Sequence, residues 1–161
     1  MKSRLLLLPF LTTAISCQNQ THAPADFAFR IDGFTDVIDT YENTFTRRGI
    51  NQGSINFTDT TVTLTLTTEQ KDSIYFFMGE KAFFSMPEEI KVPCEDYIKP
   101  SETDNLIVRA NGQNKKVVFH NGCTTHDEKV KDFYSIRSFI YKIVYRNKNI
   151  KSLPKSSLMI L

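Results

Sequence analysis

Tryptophan is absent from this 161-residue chain, glycine occurs six times and cysteine three times. So small a glycine supply leaves no glycine-rich loop of the kind that cradles phosphates. The G-x-S-x-G elbow, the S-x-x-K pair and the H-E-x-x-H helix are missing as well, so the familiar hydrolase signatures are not there. Lysine and arginine number 20 against 18 acids, and a balance that even gives no global pull toward nucleic acid. Adjacent acids at Glu88-Glu89, Glu95-Asp96 and Asp127-Glu128 read as solvated charge, because no spacing sets two carboxylates across a cleft. No catalytic residue and no cofactor is expected. No apolar run reaches the roughly 20 residues that take a helix across a bilayer.

What the sequence does have begins at its first residues. MKSRLLLLPFLTTAIS carries Lys2 and Arg4, then an apolar stretch from Leu5 to Ile15, then the small Ser16. That is the order of a signal peptide over residues 1–16. Ala14-Ile15-Ser16-Cys17 resembles a bacterial lipobox, with Ala14 where Leu is usual. The resemblance implies that Cys17 takes a lipid and becomes the first mature residue; ordinary secretion with a free Cys17 is the other reading. Removing Lys2 and Arg4 with the leader lowers the formal charge from +2 to zero. Residues 17–25, polar and proline-containing, read as a lipidated tether, and residues 26–161 as one globular domain.

With Cys17 lipidated, Cys94 and Cys123 are the two thiols left. In an oxidising compartment an even pair predicts a disulfide, and only one pairing exists. The alternative is a metal or thiol site. His120, Cys123 and His126 form an H-x-x-C-x-x-H run, and Cys94 could supply a fourth ligand of the kind zinc prefers. That spacing matches no familiar finger, and the disulfide is the favoured expectation.

Periodicity predicts the fold. Phe27, Phe29 and Ile31 share a parity, Val37, Tyr41 and Phe45 another, and Val62, Leu64 and Leu66 alternate with Thr61, Thr63 and Thr65. Each set predicts a strand, the second taken as a single one. Gly49 to Gly53 reads as a turn. Thr67 and Gln70 form a capping box that starts a helix, with Gly79 placed to end it. Residues 87–104, with three prolines, read as a loop. Asn111-Gly112 between two apolar runs predicts a hairpin. Thr125 and Glu128 suggest a second capping box, with His126 in the first turn of the helix that follows. There Val130, Phe133, Ile136, Arg137, Ile140, Ile143 and Val144 make one stripe with a single polar intrusion. The end, Leu158 to Leu161, is expected to dock on the core or add an edge strand. The expectation is α+β: an antiparallel sheet of about four to six strands with two helices packed on one face. Thirteen phenylalanines supply its core.

TLTTEQKDSIY leading to FFSMP, PSETDNLIVRANGQNKKVVF, Cys123, the long helix to Tyr145 and KSLPKSS together resemble a family of small Bacteroides-type lipoproteins with no assigned activity. The resemblance implies a place in the cell envelope. In such bacteria an acidic run after the lipid cysteine directs surface display. QNQTHA lacks one, which implies the periplasmic face. The expected function is a non-enzymatic binding or assembly module, held to the membrane through Cys17 and binding another envelope component. Strand addition at residues 58 to 66 is one route, provided they lie on an exposed edge. Residues 133 to 161 hold six basic residues and no acid, which reads as a solvated face.

Overall fold

The computed structural model describes residues 22–51, 57–93, 97–123 and 126–158, giving the backbone alone at 51, 97–102 and 121–123. The leader, Cys17, Cys94 and Thr125 lie outside the described residues. Seven strands form one sheet: β1 Ala28–Asp32, β2 Asp36–Asp39, β3 Thr44–Asn51, β4 Phe57–Thr63, β5 Glu89–Ile90, β6 Tyr97–Ala110 and β7 Gln113–Cys123. Their order is β4-β3-β2-β1-β6-β7-β5. Every pairing is antiparallel except that of β5 with β7. Three helices, α1 Thr68–Glu80, α2 Glu128–Val144 and α3 Lys148–Lys151, complete the α+β fold, with a 3-10 turn at Phe83–Ser85. The sheet is larger than the expected four to six strands, and there is one helix more than expected.

Two segments account for the extra strands. Residues 35–49, expected as a single strand, hold the hairpin β2-β3. β3 runs on to Asn51, so Gly49 to Asn51 belong to a strand and not to the expected turn, whose remainder at 52–53 lies outside the described residues. Asp39 Oδ1 accepts from the amides of Tyr41 and Glu42, and Asn43 adopts φ 54°. An aspartate bonding the amides that follow it, closed by an asparagine in the left-handed region, is a turn that reverses the chain. Residues 87–104 are not a loop either. Glu89–Ile90 pairs with β7, and β6 starts at Tyr97. Its register against β7 slips between Tyr97 and Glu102, where Pro100, lacking an N–H, is tolerated.

The alternation of each strand sends one parity to the core. Phe29, Ile31, Ile38, Phe45, Leu106, Val108, Val117 and Phe119 are buried on one face, joined by register pairs such as Ile31 with Leu106 and Ile38 with Phe45. α2 covers them with the expected stripe: Val130, Phe133, Ile136, Arg137, Ile140, Ile143 and Val144 are its buried residues. α1 adds Ile74 and Met78, and Phe77 stacks on Phe139 of α2 with ring centroids 4.4 Å apart.

The ends of these elements show where local signals held and where they were overridden. Thr67 and Gln70 form the capping box. α1 runs past Gly79 to Glu80, because Ala82, at φ 52°, is the residue that turns left-handed. α2 is capped by Asp127, whose side chain accepts from Lys129 and Val130. His126 therefore precedes the cap and does not sit in the first turn. Asn111 and Gly112, at φ 54° and 72°, make the two-residue hairpin, and both amides donate to the carboxylate of Asp26.

Candidate functional site

The predicted His/Cys run is spread out by its strand. His120, on β7, pairs with Thr103 of β6, and its Nδ1 lies 3.1 Å from the Thr103 hydroxyl. Its Nε2 is 3.6 Å from Glu89 Oε1, and the ring is half-exposed. His126 is exposed. Cys123 closes β7 in register with Tyr97. Among the described residues no three or more His, Cys, Asp and Glu side chains gather as a metal would need. Within the stretch expected as tether, His22 Nδ1 lies 2.7 Å from Asp72 of α1, and the Ala23 amide donates to the same carboxylate at 2.7 Å. Those bonds hold the Asp72 carboxyl below its usual range, the Ala23 amide contributing most.

The site the structure assembles lies at the other end of the sheet, around β3. Phe45 and Arg47 share the core-facing parity. Opposite Arg47 in register stands Asp36, only 4% exposed. A buried carboxylate needs partners, and beyond a long contact from the Thr35 hydroxyl at 3.5 Å Asp36 has two. Arg47 Nε donates to Oδ1 at 2.7 Å, and the Tyr145 hydroxyl, from the C-cap of α2, donates to Oδ2. Burial, then the Asp36 carboxylate, push the Tyr145 phenol well above its ordinary range. The Arg47 guanidinium also lies over the rings of Phe45 and Tyr145, at 5.4 and 5.7 Å from their centroids, and Nη1 donates to the Pro154 carbonyl at 3.1 Å. Arg47 is thereby locked between strand, helix and C-terminal segment.

That segment is held by a bulge. Between Arg47 and Ile50 the register with β4 slips by one residue. Gly49 takes φ 62° there, its amide donates to Asp59 Oδ1 and its carbonyl accepts from the Ser157 amide at 2.9 Å. Leu158 docks so closely that a Cβ on Gly49 would lie 2.2 Å from its Cγ. The expected docking of the end is thus realised at Leu158, and residues 159–161 lie outside the described residues. Beneath the segment opens a cleft of about 810 Å³, lined in part by Asp36, Arg47, Tyr145, Arg146, Lys151 and Lys155.

β4 itself ends the sheet. It pairs with β3 and with no other strand among the described residues, and Phe57 at its start is 51% exposed. The opposite edge is β5, two residues long. Short edge strands, charges and prolines are how proteins blunt an open edge. β4 has seven residues, FTDTTVT, and its one charge, Asp59, is engaged by Gly49.

The open face of the sheet is built differently. Arg30 bonds Asp39 and Asp32, and Arg48 bonds Asp32 at 2.7 Å, so these two arginines are offset by carboxylates. The Asp39 hydrogen bond raises the Arg30 pKa above its usual value. Asp36, Arg47 and Tyr145 were not singled out from the sequence. They belong to no motif, and 109 residues separate Asp36 from Tyr145. The one legible hint was the acid-free basic stretch that closes the chain.

No protein-family model matches the chain, and no curated protein matches it. Among the described residues no helix is long and apolar enough to cross a membrane.

Proposed function

We propose that this protein is a lipid-anchored, non-enzymatic binding module of the bacterial cell envelope, tethered through Cys17 and facing the periplasm. Its partner is an extended segment of another envelope protein, added as a strand to β4. The observation that carries this reading is the side of β4 that no strand occupies among the described residues. A seven-residue, β-branched, almost uncharged strand pairs on one side and leaves alternate N–H and C=O groups of its other side to be satisfied. An occupant of alternating uncharged polar and apolar residues would continue both faces of the sheet, with Phe57 as its apolar anchor.

A photoreactive side chain at Phe57 tests it in intact cells. A covalent adduct to a second envelope protein is expected from this position and not from Lys129, an exposed residue on α2. Adding charges at both ends of the strand, Phe57→Lys with Thr63→Lys, should abolish the adduct formed at Thr61. Recovery of monomer alone from position 57 overturns the proposal.

The membrane link and the cysteines belong to the same reading. Loss of lipid labelling and release from membranes on Cys17→Ser are expected; a variant that stays membrane-bound removes the anchor. Cys94 lies three residues before Tyr97, whose Cα pairs with Cys123. Three residues reach at most about 10 Å, so the register is compatible with the Cys94–Cys123 disulfide, which we propose on the pairing of the two thiols left after lipidation. Intact mass should rise by two hydrogens on reduction. A native mass heavier by one zinc, with both thiols free, would restore the metal site of Cys94, His120, Cys123 and His126.

A further inference from the structure

We infer that the cleft under the C-terminal segment binds a phosphate-bearing group attached to an apolar body. This second binding site is independent of strand addition at β4. Four cations line the cleft, Arg47, Arg146, Lys151 and Lys155, with a single carboxylate, Asp36. Asp36 is already engaged by Arg47 and Tyr145. Three positive charges are therefore left over, and Arg146, Lys151 and Lys155 form no ion pair among the described residues. Elsewhere in the fold arginines meet aspartates, as Arg30 and Arg48 do on the open face. Here the basic residues converge on a hollow instead.

The size and construction of the hollow agree with a ligand site. A volume near 810 Å³ lies within the range of about 300–1,000 Å³ typical of small-molecule sites. Arg47 is oriented before any ligand arrives: one nitrogen is tied to Asp36, one to the Pro154 carbonyl, and the guanidinium plane rests against two aromatic rings. A guanidinium held this way loses little rotamer freedom on binding an anion. Its third nitrogen, Nη2, makes no hydrogen bond among the described residues. Lys151 and Lys155 add mobile point charges suited to phosphate oxygens. The apolar portion of the ligand would meet Leu153 and the ring of Tyr145, which line the same cleft. A cationic ligand fits poorly, because the one carboxylate lining the cleft, Asp36, is already engaged.

Such a group could be a free phosphorylated molecule or the headgroup of an anionic phospholipid in the membrane to which the chain is tethered. The test uses the full chain and two probes. Phenyl phosphate is titrated calorimetrically, with inorganic phosphate beside it. Vesicles of phosphatidylglycerol, or of phosphatidylcholine, are sedimented with the protein. The variant Arg146→Gln/Lys151→Gln/Lys155→Gln is compared with Lys148→Gln, which lies on the same helix as Lys151 and does not line the cleft. Among the described residues no hydrogen bond or ion pair depends on the three exchanged side chains, so the triple variant should melt with the native protein.

Saturable phenyl phosphate binding, tighter than that of inorganic phosphate and weakened at least tenfold in the triple variant alone, supports the site with a soluble ligand. Binding confined to phosphatidylglycerol vesicles, again lost in the triple variant and kept in Lys148→Gln, supports it with a headgroup ligand. The inference is overturned if neither probe binds. It is equally overturned if the triple variant binds as the native chain does, or if Lys148→Gln and the triple variant lose affinity in proportion to charge removed.

Discussion

Tyr145 donates its hydroxyl to Asp36 across 109 residues of sequence, joining the C-cap of α2 to β2. The carboxylate it meets is buried and also holds Arg47, so one phenol secures helix, sheet and C-terminal segment together. Tyr145→Phe should lower stability by about 1–3 kcal/mol, the cost of leaving a buried acceptor short of a donor. Denaturant titration of the two proteins measures the difference, and equal midpoints would contradict it.

The same contact sets an alkaline limit. In the fold the Tyr145 phenol is held above its ordinary value by burial and by Asp36, and burial raises Tyr141 too. In the unfolded chain both ionise near the ordinary phenol pKa of about 10. Above that pH the unfolded state has lost protons that the native state keeps, so stability falls as pH rises. The contribution is full below about pH 10 and is lost as pH climbs through the raised native values. Melting temperature should drop across this window, and the drop should be smaller in Tyr145→Phe. Identical slopes for the two proteins would sink the assignment.

Arg137 is the one charged residue in the stripe of α2. It is 7% exposed and pairs with Asp104 of β6, whose other oxygen accepts from the Tyr134 hydroxyl at 2.8 Å. Its Nε has no acceptor among the described residues. Breaking a buried pair costs about 3–5 kcal/mol because one charge is stranded, whereas removing both charges together is often close to neutral. Asp104→Leu alone is expected to destabilise strongly, and Asp104→Leu/Arg137→Met to regain most of the loss. A double variant no more stable than the single would show that the pair itself holds the fold.

Gly49 answers to two constraints at once, a positive φ and the close approach of Leu158. Gly49→Ala should cost about 1–2 kcal/mol from the backbone conformation alone, with a further loss as Leu158 is pushed away. In a Leu158→Ala background the contact vanishes and only the backbone cost should remain. If the cost of Gly49→Ala is the same in both backgrounds, the contact with Leu158 is not what constrains this position.

Ala82 turns left-handed with a β-carbon in place. Ala82→Gly should therefore stabilise the chain by up to about 1 kcal/mol, since relief of the αL strain exceeds the entropy that glycine adds to the unfolded state. A lower melting temperature for the variant would contradict this.

Much of the fold was legible because it rests on local chemistry. The Thr67–Gln70 box, the Asn111-Gly112 turn and the α2 stripe from Val130 to Val144 are periodic or short-range signals, and each appears where the pattern placed it. The β2-β3 hairpin was missed because its turn, Asp39 to Asn43, contains neither glycine nor proline and reveals itself only through the Asp39 side chain. β5 and the start of β6 were read as loop because prolines dominate residues 87–104. Pairing with β7 and a bulge at Pro100 override that local preference.

By itself, then, the sequence determined the α+β class, the core stripe of α2, the N–G hairpin and the expectation of an anchored envelope protein, all from patterns spanning a few residues. Tertiary structure alone decided that β4 ends the sheet, that Arg137 meets Asp104, and that Asp36, Arg47 and Tyr145 converge beneath the C-terminal segment. The physical reason is range. Periodicity reports which face of an element is buried, but the partner of a buried charge and the open side of an edge strand depend on strand order, and strand order is set by contacts between residues far apart in the chain.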